Sequence, residues 1–491
     1  MPADDRIPVL VGVGVVQQRA EHPREAREPL LLMGDALERA ADDAGSRALL
    51  ARADSIRIPR GFWDYADPGR ALAERFGSGG RMRTCVAEIG VLQTTLLGAA
   101  ARDIAEGRAD VVLVTGGEAR HRAQRAQQLG VEAPLTRLGG GPPDEVLRPH
   151  AEILSPLEVE VGLHTPVSQY AVIENALRFA EKQALDAHRD AVAALQARAS
   201  AVAARNPDAW DRSPHAAGEI RGPQAGNRML AFPYTKLHTS QWNVDQAAGL
   251  IFCSLETARS LGLPAERFVH PLAVADANHM LPLAARPALE RVPGFAQAGR
   301  RALAHAGLRA AGLDRLELYS CFPVAVRAQA RELAIDEARP LTVTGGMTFA
   351  GGPLNNFVLQ ALARMVTLLR EAPGASGLVT AVSGILTKQG VSLWASRPPE
   401  RPFAFFDATR ETAEAQAPLE LVAAADGPAR VAGYTVVYDG ERPARTAFVC
   451  DLAGGRRTLA ASDDPALAEL GTREELSGRA LRLVGGRAEL A

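Results

Sequence analysis

The chain has 491 residues, is 47% hydrophobic and 23% charged, and carries a formal net charge of -2. That length accommodates about three domains with a sizeable core, and the near balance of charge argues against a nucleic-acid-binding surface. Its four cysteines (Cys85, Cys253, Cys321, Cys450) lie far apart, with no CxxC pair and no histidine at ligand spacing. A disulfide framework and a structural zinc site are thereby excluded, and no metal is expected.

The first apolar run, VLVGVGVV, is too short for a signal peptide or a membrane span, and no later stretch is long enough either. The expectation is a soluble, reduced, cytoplasmic protein with no membrane span. A strand is predicted over 8–16 and a helix over Pro29–Ala44. The VGVGVVQ run carries Gln17 where a dinucleotide fingerprint needs its third glycine, so a nicotinamide or flavin site is not expected. The clearest unit is VLQTTLLGAAARDIAEGRADVVLVTGGEA, residues 91–119. It predicts a long helix stopped at Gly107, then a buried strand running into Gly116 and Gly117. A continuous apolar strand implies a sheet covered on both faces.

That unit recurs as VLQALARMVTLLREAPGASGLVTAVSG, residues 358–384, with the same VLQ start and LVT triplet in the same helix-then-strand order. The repetition predicts two related α/β halves, their sheets back to back with helices outside and between. Residues 120–226 are rich in Arg, Ala, His and Pro, with helical periodicity around 170–204, and form an inserted loop domain rather than a linker. The first half spans 1–268 including this insertion, and the second spans 269–397. Pro398, Pro399 and Pro402 mark a boundary, and the alternating segments beyond predict a small β-rich domain over 403–491.

Only three lysines occur, Lys182, Lys236 and Lys388. Lys236 and Lys388 stand in segments dense in glycine and polar residues, as solvated cations or as anion contacts near a ligand. In LTVTGGMTFAGGPLNNF, residues 341–357, a strand enters Gly345, Gly346, Gly351 and Gly352 before the second VLQ helix. Such a turn suits either close backbone approach to a ligand at a helix N-terminus or a tight crossing between packed sheets.

These residues resemble the thiolase superfamily. GGMTFAGGP matches the glycines and proline of the family's GGAIALGHP, and ADVVLVTGGEA resembles its ADVVLAGGMES strand. VDQAAG at Val244 resembles NDGAAA, and YSCFP at Tyr319 resembles the HDCF motif of the sterol-carrier-protein-type branch. The motifs occur in family order over residues 6–397. With its C-terminal extension, the pattern looks most like the thiolase-like protein type 1 group, often labelled acetyl-CoA acetyltransferase. The resemblance implies a five-layer αβαβα fold and a coenzyme A thioester as substrate or ligand, with no tightly bound cofactor. It also implies an acyltransferase lineage in lipid metabolism.

The departures decide the chemistry. Counting back the family's interval from the ADVVL strand lands on Gly90 instead of the nucleophilic cysteine, and Cys85 lies too early to replace it. The GHP histidine becomes Gly352, the second catalytic cysteine falls near Ser383 and Gly384, and the HD of HDCF becomes Tyr319 and Ser320. Losing one oxyanion donor costs about 10²–10³ in rate and a general acid or base about 10²–10⁴. Losing the nucleophile removes the ping-pong route. Ordinary thiolysis and Claisen condensation are therefore not expected.

What remains is a reorganised site of Cys321 and Tyr319, which share a face if they lie on a strand, with His238 as a base from the loop-domain side. Ligand contacts are expected from Gly345, Gly346, Gly351, Gly352, Ser240 and Ser383, and from Lys236 at the mouth for a CoA phosphate. The space left at Gly352 is expected to be open, or filled by Tyr319 or Trp242. All converge on one cleft where strand ends of the two halves face each other. The expected function is altered acyl or carbon–carbon chemistry on an acyl-CoA, such as retro-aldol cleavage. The alternatives are a non-catalytic acyl-CoA or lipid binder, and a scaffold subunit of an acyl-CoA lyase with a small protein partner or self-association.

Overall fold

The computed structural model describes residues 6–490. Its first sheet has six strands in the spatial order Pro8–Gln18, Asp245–Ser254, Val111–Ala119, Ser55–Pro59, Arg83–Ala87 and Glu145–Leu147. All residues of Val111–Ala119 and Asp245–Ser254 are buried, as continuous apolar strands require. The VGVG run has a packing role. A Cβ on Gly12 or Gly14 would stand within 2.1 or 2.2 Å of the Ala40 or Ala36 carbonyl of helix Pro29–Ala44. Glycine there lets the helix lie directly on the sheet.

The second sheet runs Arg315–Glu317, Ser376–Ser383, Lys388–Ala395, His270–Ala277, Ala404–Asp407. Helices Gln93–Ala105 and Phe357–Arg370 each touch strands of both sheets and form the central layer. Helix Pro29–Ala44 covers the outer face of the first sheet, and Pro293–Ala306 that of the second. This is the αβαβα layering. Each central helix leads into a core strand of its own half, so the repeated unit is a structural repeat. The strand Ala404–Asp407 corrects the boundary placed at residue 403, because it pairs in parallel with His270–Ala277 and completes the second half. Its Phe405 ring packs under Gly98 of the central helix.

The C-terminal domain begins at Gly427–Asp439, followed by Arg442–Asp451, Arg457–Ser462, helix Pro465–Arg473, Ala480–Val484 and Arg487–Leu490. The spatial order is first, second, third, fifth, fourth, and the first strand pairs with both the second and the fourth, closing a barrel. That is the strand order of an OB-fold. The insertion reaches past residue 226, the bound expected for it, because a hairpin of Met229–Ala231 and Tyr234–Thr235 continues it and extends this sheet through Ala231 and Val437. Insertion and barrel therefore share one sheet. The insertion otherwise consists mainly of helices Pro166–Ala180 and Leu185–Ala203. Asn175 donates to the carbonyls of Phe232 and Tyr434 at 3.1 and 3.0 Å, fastening helix, hairpin and barrel together. No helix among the described residues is long and apolar enough to cross a membrane.

Candidate functional site

Strand Arg315–Glu317 ends in a buried carboxylate that organises the glycine-rich turn beside it. Glu317 accepts from the amides of Val343 and Thr344 at 2.7 and 2.8 Å and from the hydroxyls of Thr342 and Thr344. Burial pushes it up to about 7 in spite of these donors. The entry to the glycine cluster is thus pinned against the start of the YSCF segment. Three segments are then tied together. Met347 donates its amide to Ser320 Oγ at 3.0 Å, Ser240 to the Cys321 carbonyl at 3.1 Å, Gln241 to Met347 at 2.9 Å and Gly352 to Gln241 at 2.7 Å.

They surround a largely apolar cleft of about 560 Å³. Tyr319, Cys321, Ser240, Trp242, Gly352 and Ser383 all line it, together with Gly90, Tyr170 and His164. Tyr319 and Cys321 reach the cleft from an irregular segment rather than a strand. Tyr170 comes from helix Pro166–Ala180, stacks on Phe322 at 4.4 Å, and has the Cys321 thiol beside its hydroxyl. Burial pushes the Cys321 thiol up to about 12 and holds both tyrosines well above their usual range. At neutral pH all three are proton donors, not bases.

His238 does not line the cleft and is not its base. It is buried, its Nδ1 accepts from the Thr235 amide and pairs with its hydroxyl at 3.1 and 3.0 Å, and burial lowers it to about 4. It is a neutral histidine closing the turn after the hairpin. The imidazole on the cleft is the exposed His164. A lone histidine gave no spacing signal. Yet HTP, with Thr165 capping helix Pro166–Ala180 and Pro166 in its first turn, marks a helix start that could have placed it at the rim.

Gly345, Gly346 and Gly351 are also corrected, since none lines the cleft. Gly345 has φ of 101° and would press a Cβ within 2.4 Å of Ala203, while Gly351 has φ of 100° and would meet Gln246 Oε1 at 2.2 Å. A Cβ on Gly346 would lie 3.1 Å from Ser320 Oγ. These three serve the crossing between layers. Gly352 does line the cleft, but the histidine's space is not open and is not filled by Tyr319 or Trp242. Ser240 Oγ lies 2.2 Å and Met347 Cε 3.2 Å from where its Cβ would be.

Gly90 occupies the position expected for the nucleophile and lines the cleft. Its φ is 108°, and a Cβ would stand 3.1 Å from Pro149 and 3.5 Å from Lys388 Nζ. Cys85 lies on Arg83–Ala87 in a separate cavity with Arg57 and Glu145, and burial pushes it up to about 12.

Lys236 is exposed on an adjoining groove of about 660 Å³, with Arg19, Arg228 and Trp210, that shares Leu230, Ser240 and Trp242 with the cleft. At this mouth the Arg120 guanidinium lies between the rings of Phe62 and Trp242, 4.9 and 4.8 Å from their centroids. Behind the cleft, Glu174 accepts from Tyr234 at 2.7 Å and Arg327 at 3.1 Å and contacts His188 Nε2 at 2.8 Å. Burial alone would raise it, but these partners pull it down to about 2.

The layering, the doubled helix–strand unit and a cleft at the meeting of the two halves define a thiolase-like fold. Over 99% of its length it is similar to a monomeric SCP2-thiolase like protein type 1 from Mycobacterium smegmatis, covering 100% of that chain at 28% identity and a TM-score of 0.85. An Ltp2–ChsH2(DUF35) aldolase shares 20% identity at a TM-score of 0.61, over 81% of this chain and 100% of that one. The dimeric peroxisomal thiolase of Saccharomyces cerevisiae shares 16% at 0.56, over 80% and 98%. At these lower identities the likeness is one of fold. No family model and no curated protein matches the chain.

Proposed function

We propose that the cleft binds acyl-CoA thioesters, with the acyl group in its apolar floor and the nucleotide in the cationic groove, and that chemistry there proceeds without an acyl-enzyme. The observation that carries this is Gly90, which has no side chain to attack with and whose positive φ and 3.1 Å approach to Pro149 disfavour adding one. The lining suits carbon–carbon bond cleavage of the retro-aldol type. In that reaction a base takes the β-hydroxyl proton, the Cα–Cβ bond breaks, and the thioester enolate is stabilised and then protonated. Tyr319 and Cys321 are the donors for the enolate, and His164 is the imidazole on hand as base. Isothermal titration with CoA and acyl-CoAs, an assay for cleavage of 3-hydroxyacyl-CoA and one for thiolysis of acetoacetyl-CoA test this. Binding and cleavage without thiolysis are expected. Robust thiolysis that survives loss of Cys85 and Cys321 would overturn it.

A non-catalytic acyl-CoA or lipid-binding role is the second reading. It is favoured by the position of His238 outside the cleft. The aldolase neighbour carries two components in its name, which supports a small protein partner, whereas the SCP2-thiolase like neighbour is named monomeric, which does not favour self-association. Light scattering on the purified chain, alone and from its native source, separates these.

A further inference from the structure

Lys388 opens the strand Lys388–Ala395 directly across from Ser383, a residue on the cleft wall. Cross-strand partners project from the same face of a sheet, so the lysine stem runs beside Ser383 under the cleft floor. Its side chain is buried, with the residue 2% exposed. Its hydrogen-bond partner is the carbonyl oxygen of Gly90, to which Nζ donates, and no ion pair among the described residues includes it. Burial lowers it to about 8, with no neighbouring carboxylate to oppose the effect.

A buried ammonium with one carbonyl for company is poorly compensated, because desolvating it costs several kcal/mol that a single dipole does not return. A ligand anion would return it. The path is short. A Cβ on Gly90 would stand 3.5 Å from Nζ, and Gly90 lines the cleft, so a residue without a side chain is what separates the cation from the ligand space. The other two lysines differ, since Lys236 and Lys182 are exposed.

We propose that Lys388 is an anion-binding residue of the cleft that takes the carboxylate of the acyl group, so that the preferred ligands are thioesters of short dicarboxylic acids. This rests on the acyl-CoA reading above and narrows its substrate class. Ser383, across the strand pair, is the neighbouring hydroxyl available to the same group.

The test compares malonyl-CoA with its neutral near-isostere acetoacetyl-CoA by equilibrium titration, on the full chain and on Lys388→Met and Lys388→Arg. The nucleotide contacts are common to both esters and cancel. Malonyl-CoA is expected to bind at least about tenfold more tightly to the unaltered chain, as a charge-assisted contact should give. The preference should vanish in Lys388→Met and survive in part in Lys388→Arg. Equal affinities in the unaltered chain, or a preference that persists in Lys388→Met, overturn the proposal. Competitive acetylation with acetic anhydride, read by peptide mass against Lys182 and Lys236, decides the matter should Lys388→Met fail to fold. Malonate or malonyl-CoA should protect Lys388 selectively, and absence of labelling or of protection counts against it. If no CoA ester binds while malonate still protects Lys388, the acyl-CoA reading fails and the anion site stands.

Discussion

Restoring a thiol at residue 90 should not restore a thiolase. In Gly90→Cys the new Cβ must accept a φ of 108°, outside the conformations an L side chain adopts readily, at about 1–2 kcal/mol. It also stands 3.1 Å from both Cβ and Cγ of Pro149, a stiff ring that has no rotamer to yield, and overpacking of this kind costs about 1–3 kcal/mol. Together the substitution should destabilise the chain by about 2–5 kcal/mol, read as a fall in the denaturant midpoint at unchanged slope. Gly90→Ala should show nearly all of that loss, which separates the backbone and packing terms from the sulfur. Intact-mass spectrometry after incubation with acetyl-CoA or acetoacetyl-CoA should find no acetyl adduct on residue 90. A Gly90→Cys variant with the parent midpoint and a stoichiometric acetyl adduct would refute the reasoning, because it would show a site that merely lacks its sulfur.

Glu174 gives an acid-stability prediction. Its folded carboxyl lies at about 2 against an ordinary 4.5, so it contributes about 3 kcal/mol above pH 4.5 that is lost as the pH falls toward 2. Thermal scans should show Glu174→Gln less stable at pH 7 and less sensitive to acid over that window, and parallel pH curves would contradict this. Iodoacetamide at neutral pH should label the native chain very slowly, since burial holds Cys85, Cys253, Cys321 and Cys450 each at about 12. A fast-reacting thiol mapped to Cys321 would overturn its assignment as a donor. Gly351→Ala, forced onto Gln246 at positive φ, should lower the melting temperature more than Gly352→Ala. The latter needs only the flexible Ser240 hydroxyl and Met347 to shift, and should instead weaken ligand binding. The reverse order in both measurements would be inconsistent with these roles.

The layers were legible because they rest on periodicity. Pro29–Ala44 and the two VLQ helices carry the apolar spacing of buried helices, and the strands after the VLQ helices have apolar cores and are buried almost throughout. The shared cleft was legible from motif order together with the topology of facing halves. Individual roles were less so, because a glycine's reason for being glycine is not local. Gly352 and Gly351 are neighbours, yet one faces Ser240 and the cleft and the other faces Gln246. His238 sits in a polar, ligand-like sequence but spends its Nδ1 on its own turn. Lys388 reads as a surface lysine until the register with Ser383 places it inside. The Ala404–Asp407 strand comes after a proline cluster that signals a boundary, and only pairing with a strand far back in the chain returns it to the preceding domain.

The sheet shared by the insertion and the barrel bears on how the chain is made. The Thr435 hydroxyl bonds the Phe232 carbonyl across 203 residues of sequence, and Leu230, in the same hairpin, forms part of the cleft wall. During synthesis that wall has no partner strand until the barrel's first strand has left the ribosome. Both thiolase-like halves are translated by then, so they must wait, cleft unfinished, for the last domain. A chain that terminates early would lose more than an appendage: it would expose a hydrophobic hairpin edge and release a half-built pocket to the quality-control machinery of the cell.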